Sequence, residues 1–140
     1  IVSIFIASAA LVMFSCRSSK EALSLSSMNG EWNIIEINGS AVVPGQGQQL
    51  PFIGFDTTTG KVYGYSGCNR IIGSVDVNAK PGTIDLGALG STRMACPDMT
   101  LEQNVLGALA QVKGYKKMGI WLFVMLPIVR LLSLQRKLPM

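Results

Sequence analysis

Any chemistry in this sequence has to come from three cysteines, eight carboxylates and twelve basic side chains, because its 140 residues include no histidine. That absence removes His-based triads, imidazole general bases and most zinc sites. The carboxylates are Glu21, Glu31, Glu36, Asp56, Asp76, Asp85, Asp98 and Glu102, and they form no recognisable catalytic pair or metal cluster. Cys68 and Cys96 could serve as nucleophiles only with a base to draw off the thiol proton, and no imidazole is there to supply one. Arg70 and Arg93 suit an anionic ligand, but such residues more often pair with a carboxylate, here Glu102. No catalytic residue, metal site or cofactor is expected.

Two islands hold the distinctive spacing: Gly67, Cys68, Asn69, Arg70 and Gly73, then Thr92, Met94 and Cys96. The first reads as a strand end, a turn and a strand start. Asn69 suits the turn because its side chain bonds local backbone, and Gly67 and Gly73 permit conformations that other residues resist. The favoured role is a tight turn locked by Cys and Asn, and a binding surface is the alternative. The net charge of +4 is spread along the chain, with one short cluster at Lys113, Lys116 and Lys117. No basic stripe is interleaved with aromatics, so nucleic-acid binding is not expected.

The elements that must position these islands are mostly strands. Residues 31–37 are β-rich, with Trp32, Ile34 and Glu36 on one face, and Asn38-Gly39 signals a turn. Residues 52–56 and 61–66 flank a loop ending in Gly60, a first hairpin. Residues 71–77 and 83–86 flank a second. Short strands at this spacing predict a small antiparallel sheet or incomplete barrel, an α+β fold with one principal packed helix over about 98–112. In that helix Leu101, Val105, Ala108, Leu109 and Val112 recur at helical period. Thr100 is the expected N-cap, with Gln103 in the capping-box position, and Gly114 the expected C-cap.

Residues 4–15 form an apolar run of twelve that ends in Ser15-Cys16 and meets a polar, Ser-rich stretch. This matches the core of an export signal and is too short for a membrane-spanning helix. A small residue before a cysteine at that place resembles a lipobox. The expected layout is a signal peptide over 1–15, a lipidated Cys16 with a flexible tether over 16–27, a folded domain over 28–118, and a tail over 119–140. The partners expected are the membrane, through Cys16, and an envelope protein.

The order of motifs resembles the META-domain (HslJ-like) family. Gly30 and Trp32 open the pattern. The Gly67, Cys68, Asn69, Arg70 and Gly73 motif follows, then Thr92, Met94 and Cys96, and then Glu102 within the helix. The resemblance implies a mainly antiparallel β domain with one helix, without established enzymatic activity. It implies an exported accessory protein, lipid-anchored in the bacterial envelope at the outer membrane and linked to stress tolerance, heat shock included, or to envelope integrity. A lipid- or small-hydrophobe-binding module in a small barrel is the alternative. Once Cys16 is lipidated, Cys68 and Cys96 are the cysteines left for a structural disulfide in an oxidising compartment.

The tail does not resemble a META ending. From Ile120 an apolar run of about 13 residues, holding Pro127, replaces the closing strands, and it is too short and interrupted to span a bilayer. With one admissible choice of codons from Gly119 onward, a shifted reading frame reads as a strand, a polar turn and a strand. The expectation is therefore that residues 119–140 reflect a frameshift and do not complete the sheet.

Overall fold

The computed structural model describes residues 24–118, 121–125 and 130–138. A 3-10 turn at Leu25–Met28 leads into β1 (Gly30–Ile37) and β2 (Ser40–Ala41). Then come β3 (Phe52–Asp56), β4 (Lys61–Tyr65), β5 (Arg70–Ser74) and β6 (Gly90–Ser91). The helix α1 (Thr100–Ala110) precedes β7 (Gly114–Met118), β8 (Trp121–Met125) and β9 (Arg130–Arg136). All described pairings are antiparallel, in the order β6-β5-β4-β3-β1-β9-β8-β7, with β2 also on β1.

Local chemistry explains the turns. Asn38 (φ 48°) and Gly39 (φ 81°) take the left-handed conformations that a tight hairpin between β1 and β2 requires. In the β3–β4 loop, Asp56 accepts the backbone N–H groups of Thr58 at 3.0 Å and Thr59 at 3.3 Å. Hydrogen bonds from Thr59 and then Thr58 hold its carboxylate below the usual range.

One face of the sheet builds the core. Trp32 and Ile34 of β1, Ile53 and Phe55 of β3, Val62 of β4 and Ile71 of β5 are buried together with Val105, Ala108 and Leu109 of α1. The helix is two residues shorter at each end than the expected 98–112, and its apolar stripe faces this core as its period predicts. Two caps differ. Met99 occupies the N-cap position, and Thr100 is already helical because Asp98 Oδ1 accepts its backbone N–H at 2.9 Å. At the other end Gln111 is the C-cap, and Gly114 opens β7.

The expected second hairpin does not form. Its turn exists, closed by Thr83 N–H to the Lys80 carbonyl at 3.0 Å. However, Thr83 bridges Gly114 and the Ile84 N–H bonds the Lys113 carbonyl at 3.1 Å, so this segment docks on β7. Ile84 and Leu86 thereby reach the core, and β5 pairs with β6 instead. In a flat sheet, β5 and β7 would stand six spacings apart, about 29 Å at about 4.8 Å each. The short connection from β5 contains two turns and still reaches β7. The sheet therefore bends toward itself without closing.

β1 corrects another expectation. Its register with β9 slips between Ile34 and Glu36, so Glu36 stands opposite Ser133 while Ile34 stands opposite Leu134. The bulge turns Glu36 away from the Trp32 face, and the Ser133 hydroxyl bonds its carboxylate at 3.1 Å.

The expectation that the tail leaves the sheet incomplete is overturned. β9 lies between β1 and β8, inside the sheet. Residues 132–135 keep the alternation that a half-buried strand needs: Leu132 and Leu134 are fully buried on the core side, and Ser133 and Gln135 turn the other way. Arg136 then places its guanidinium 4.3 Å from the Trp32 ring centre and donates to the Asn29 carbonyl at 3.0 Å. Pro127 lies outside the described residues, between β8 and β9 in sequence. Replacing Leu134 with Ala should destabilise the fold by about 2–4 kcal/mol, against about 0.5 kcal/mol or less for Gln135→Ala. Urea denaturation checks this, and equal effects would mean that β9 is not a core strand.

Candidate functional site

The two motif islands meet at the N-terminal end of α1. Cys68 and Cys96 are joined by a disulfide with their Cα atoms 6.1 Å apart. It closes a loop across a sequence separation of 28. In the chain-entropy account such a crosslink contributes about 3–4 kcal/mol by restricting the unfolded chain.

Beside it, Asn69 is only 2% exposed and uses its whole amide. The Nδ2 group donates to Glu102 Oε1 at 2.8 Å, to Oε2 at 3.0 Å and to the Met94 carbonyl at 3.1 Å. The Oδ1 atom accepts the Met94 N–H at 2.6 Å and the Thr92 hydroxyl at 2.9 Å. The Asn69 carbonyl takes the Ser66 N–H at 2.9 Å and the Ser66 hydroxyl at 3.0 Å, which closes the turn. Gly67 sits in that turn with φ 122°, where a side chain would be strained and its Cβ would press on the first turn of α1. Gly73 lies further along β5, where a Cβ would collide with the Leu89 side chain.

Glu102 is buried at 4% exposure in the first turn of α1, where the helix dipole favours a carboxyl group. The expected pairing of Glu102 with Arg70 or Arg93 does not occur. Asn69 points inward, so the next residue, Arg70, points outward from β5. Neither arginine makes an ion pair among the described residues. Met94 contributes its backbone to the clamp, while its side chain is exposed. Among the described residues no group of three or more His, Cys, Asp or Glu is placed to hold a metal ion.

A second feature was not signalled by the motifs. On the outer face of β3–β5, Phe52, Tyr63, Tyr65, Arg70, Ile72 and Lys137 border a groove of about 480 Å³. Alternation along residues 61–65 and 70–74 would have put Tyr63, Tyr65, Arg70 and Ile72 on one outward face, which was the available clue.

Two outcomes follow from this geometry. Asn69→Asp removes the donors facing Glu102 and should cost about 2–4 kcal/mol at neutral pH. Adding Glu102→Gln restores a donor–acceptor pair and should recover part of the loss, readable as a double-mutant cycle in urea. Hydrogen bonds from the Thr100 backbone and then its hydroxyl hold the Asp98 carboxylate below its ordinary value of 3.8. A lowered folded-state pKa means that Asp98 stabilises the fold above 3.8, and that this contribution fades as pH falls through the lowered value. The gap in urea midpoint between the native chain and Asp98→Ala should therefore shrink from about pH 7 to about pH 2.5.

No curated protein matches the chain. Two solved structures share the fold. One is the NMR structure of a protein from Burkholderia xenovorans, 25% identical, with a TM-score of 0.62 over 83% of this chain and 88% of that one. The other, also an NMR structure, is 20% identical, with a TM-score of 0.59 over 78% of this chain and 90% of that one. The META domain profile matches residues 23–137, which takes in both motif islands, the helix and β9. The chain belongs to the META domain family.

Proposed function

We propose that this chain is a non-catalytic accessory protein of the bacterial cell envelope, lipid-anchored through Cys16, which works by binding in support of stress tolerance or envelope integrity. The observation that carries this reading is the clamp itself. Asn69 bonds both of the other polar motif side chains, Thr92 and Glu102, and Cys68 and Cys96 are spent on the disulfide, so the motif serves architecture. Chemistry on another molecule is left to the outer surfaces. Export to an oxidising compartment fits a disulfide of this kind. Cys16 and the signal segment lie outside the described residues, and among those described no helix is long and apolar enough to cross a membrane.

A lipid- or hydrophobe-binding barrel is the second reading. The side chains that would line its interior, Trp32, Phe55, Leu109 and Leu134 among them, pack into the core, which moves a ligand to an outer face.

The anchoring is tested by Cys16→Ser. The native chain should sediment with membranes, and mass spectrometry should find diacylglycerol on Cys16. The variant should carry no lipid and should keep its apolar segment 4–15, because cleavage before residue 16 depends on the modified cysteine. A mature chain that begins elsewhere, or one that carries no lipid on Cys16, overturns the anchor.

A further inference from the structure

The outer face of β3, β4 and β5 carries two cross-strand rows. Phe52, Tyr65 and Arg70 stand opposite one another in the first, and Gly54, Tyr63 and Ile72 in the second. Gly54 leaves the second row one side chain short, and the Tyr63 ring occupies the vacant place. A Cβ added at Gly54 would run into the far end of that ring. The far end of that ring lies over Gly54 of β3, which stands opposite Glu31 of β1, so the ring leans toward β1 and away from β5. Ile72 is left 62% exposed beside the groove of about 480 Å³.

The walls of this groove are held in place. The Tyr65 hydroxyl donates to the Gly67 carbonyl at 2.7 Å. The Lys137 ammonium sits 4.5 Å from the Phe52 ring centre and pairs with Glu31 at 3.1 Å. Arg70 is different. Its backbone N–H is fixed by Thr92 Oγ1 at 3.0 Å, but its guanidinium has no ion-pair partner among the described residues. No carboxylate is among the residues that border the groove. The charge left uncompensated there is thus one planar cation next to fixed aromatic and aliphatic surface.

That combination selects a ligand chemistry. A guanidinium binds a carboxylate through two parallel hydrogen bonds, and flat aromatic walls favour a flat apolar partner over a coiled chain. The volume falls within the ordinary range of small-molecule sites. We propose that this groove binds a small aromatic carboxylate, with the carboxylate on Arg70 and the ring against Tyr63 and Ile72. The proposal rests on the reading of the domain as a binding module and is independent of the lipid anchor.

The test is a titration of the full chain with 2-naphthoate, followed by amide chemical shifts. Saturable binding is expected, with shifts concentrated at Tyr63, Tyr65, Arg70 and Ile72. Arg70→Gln, an exposed change that leaves the clamp untouched, should weaken it by about tenfold or more, and the uncharged 2-naphthalenemethanol should bind the native chain as weakly. Gly54→Ala should displace the Tyr63 ring into the groove and weaken 2-naphthoate similarly, with circular dichroism unchanged. Absence of saturation by millimolar ligand, or equal affinity in Arg70→Gln, overturns the site. Tighter binding of dodecanoate, or of an acidic peptide, overturns the aromatic assignment. A chain that binds 2-naphthoate as described but carries no lipid on Cys16 would refute only the anchor.

Discussion

Asn69 serves three parts of the chain with one side chain. Its amide reaches Glu102 on α1, both backbone groups of Met94 and the Thr92 hydroxyl. The need arises because β6 is only two residues long, and the chain from Thr92 to Met99 has no strand of its own. Backbone groups in such a segment must find partners outside a ladder, or be solvated. A buried amide supplies those partners and also satisfies a carboxyl group that burial would otherwise penalise. The disulfide restrains the same segment in another way. It acts mainly by limiting the unfolded chain, while the amide acts by bonding the folded one. Together they fix where α1 begins, and hence where Val105 and Leu109 enter the core.

The other dependence is between the ends of the domain. β1 lies between β3 and β9, so the first strand cannot be covered on both edges until the last has been made. Contacts such as Ser133 with Glu36 and Arg136 with Asn29 span 97 and 107 residues of sequence. Non-local pairing of this kind slows folding and leaves an open strand edge in the meantime. The Arg136 guanidinium over Trp32 and the Lys137 pair with Glu31 sit just where β9 finishes against β1. They fasten the end of a strand whose arrival completes the core around Leu132 and Leu134.

Much of this was legible where the signal is local. The β3–β4 hairpin follows from Gly60 and the flanking alternation, the helix from its apolar period, and the turn from Asn38-Gly39. The pairing of Cys68 with Cys96 also followed from the sequence. The features that are not legible depend on competition between distant segments. In the tail, the most hydrophobic stretch masks the Leu132, Ser133, Leu134, Gln135 pattern, which is an ordinary strand signature. Residues 83–86 look like a hairpin partner for β5, but Ile84 and Leu86 are better buried beside β7. Glu102 was expected to meet an arginine by charge. Strand alternation at Asn69 and Arg70 had already determined which of the two could face inward.

That alternation also separates the two jobs available to the motif. Once Asn69 is committed to the clamp, Arg70 must project from the opposite face, opposite Tyr65 in the ladder. The clamp thereby positions a cation that it does not itself use. Had the register slipped by one residue, the guanidinium would be buried next to Glu102 and the amide would face solvent, with Met94 and Thr92 deprived of their partners. Such a slip would also bring Ile72 to the inner face and turn Ile71 outward, so the core resists it as strongly as the clamp does. The position of the Arg70 backbone, and with it the face from which its side chain projects, is therefore set by buried contacts on the other side of the sheet.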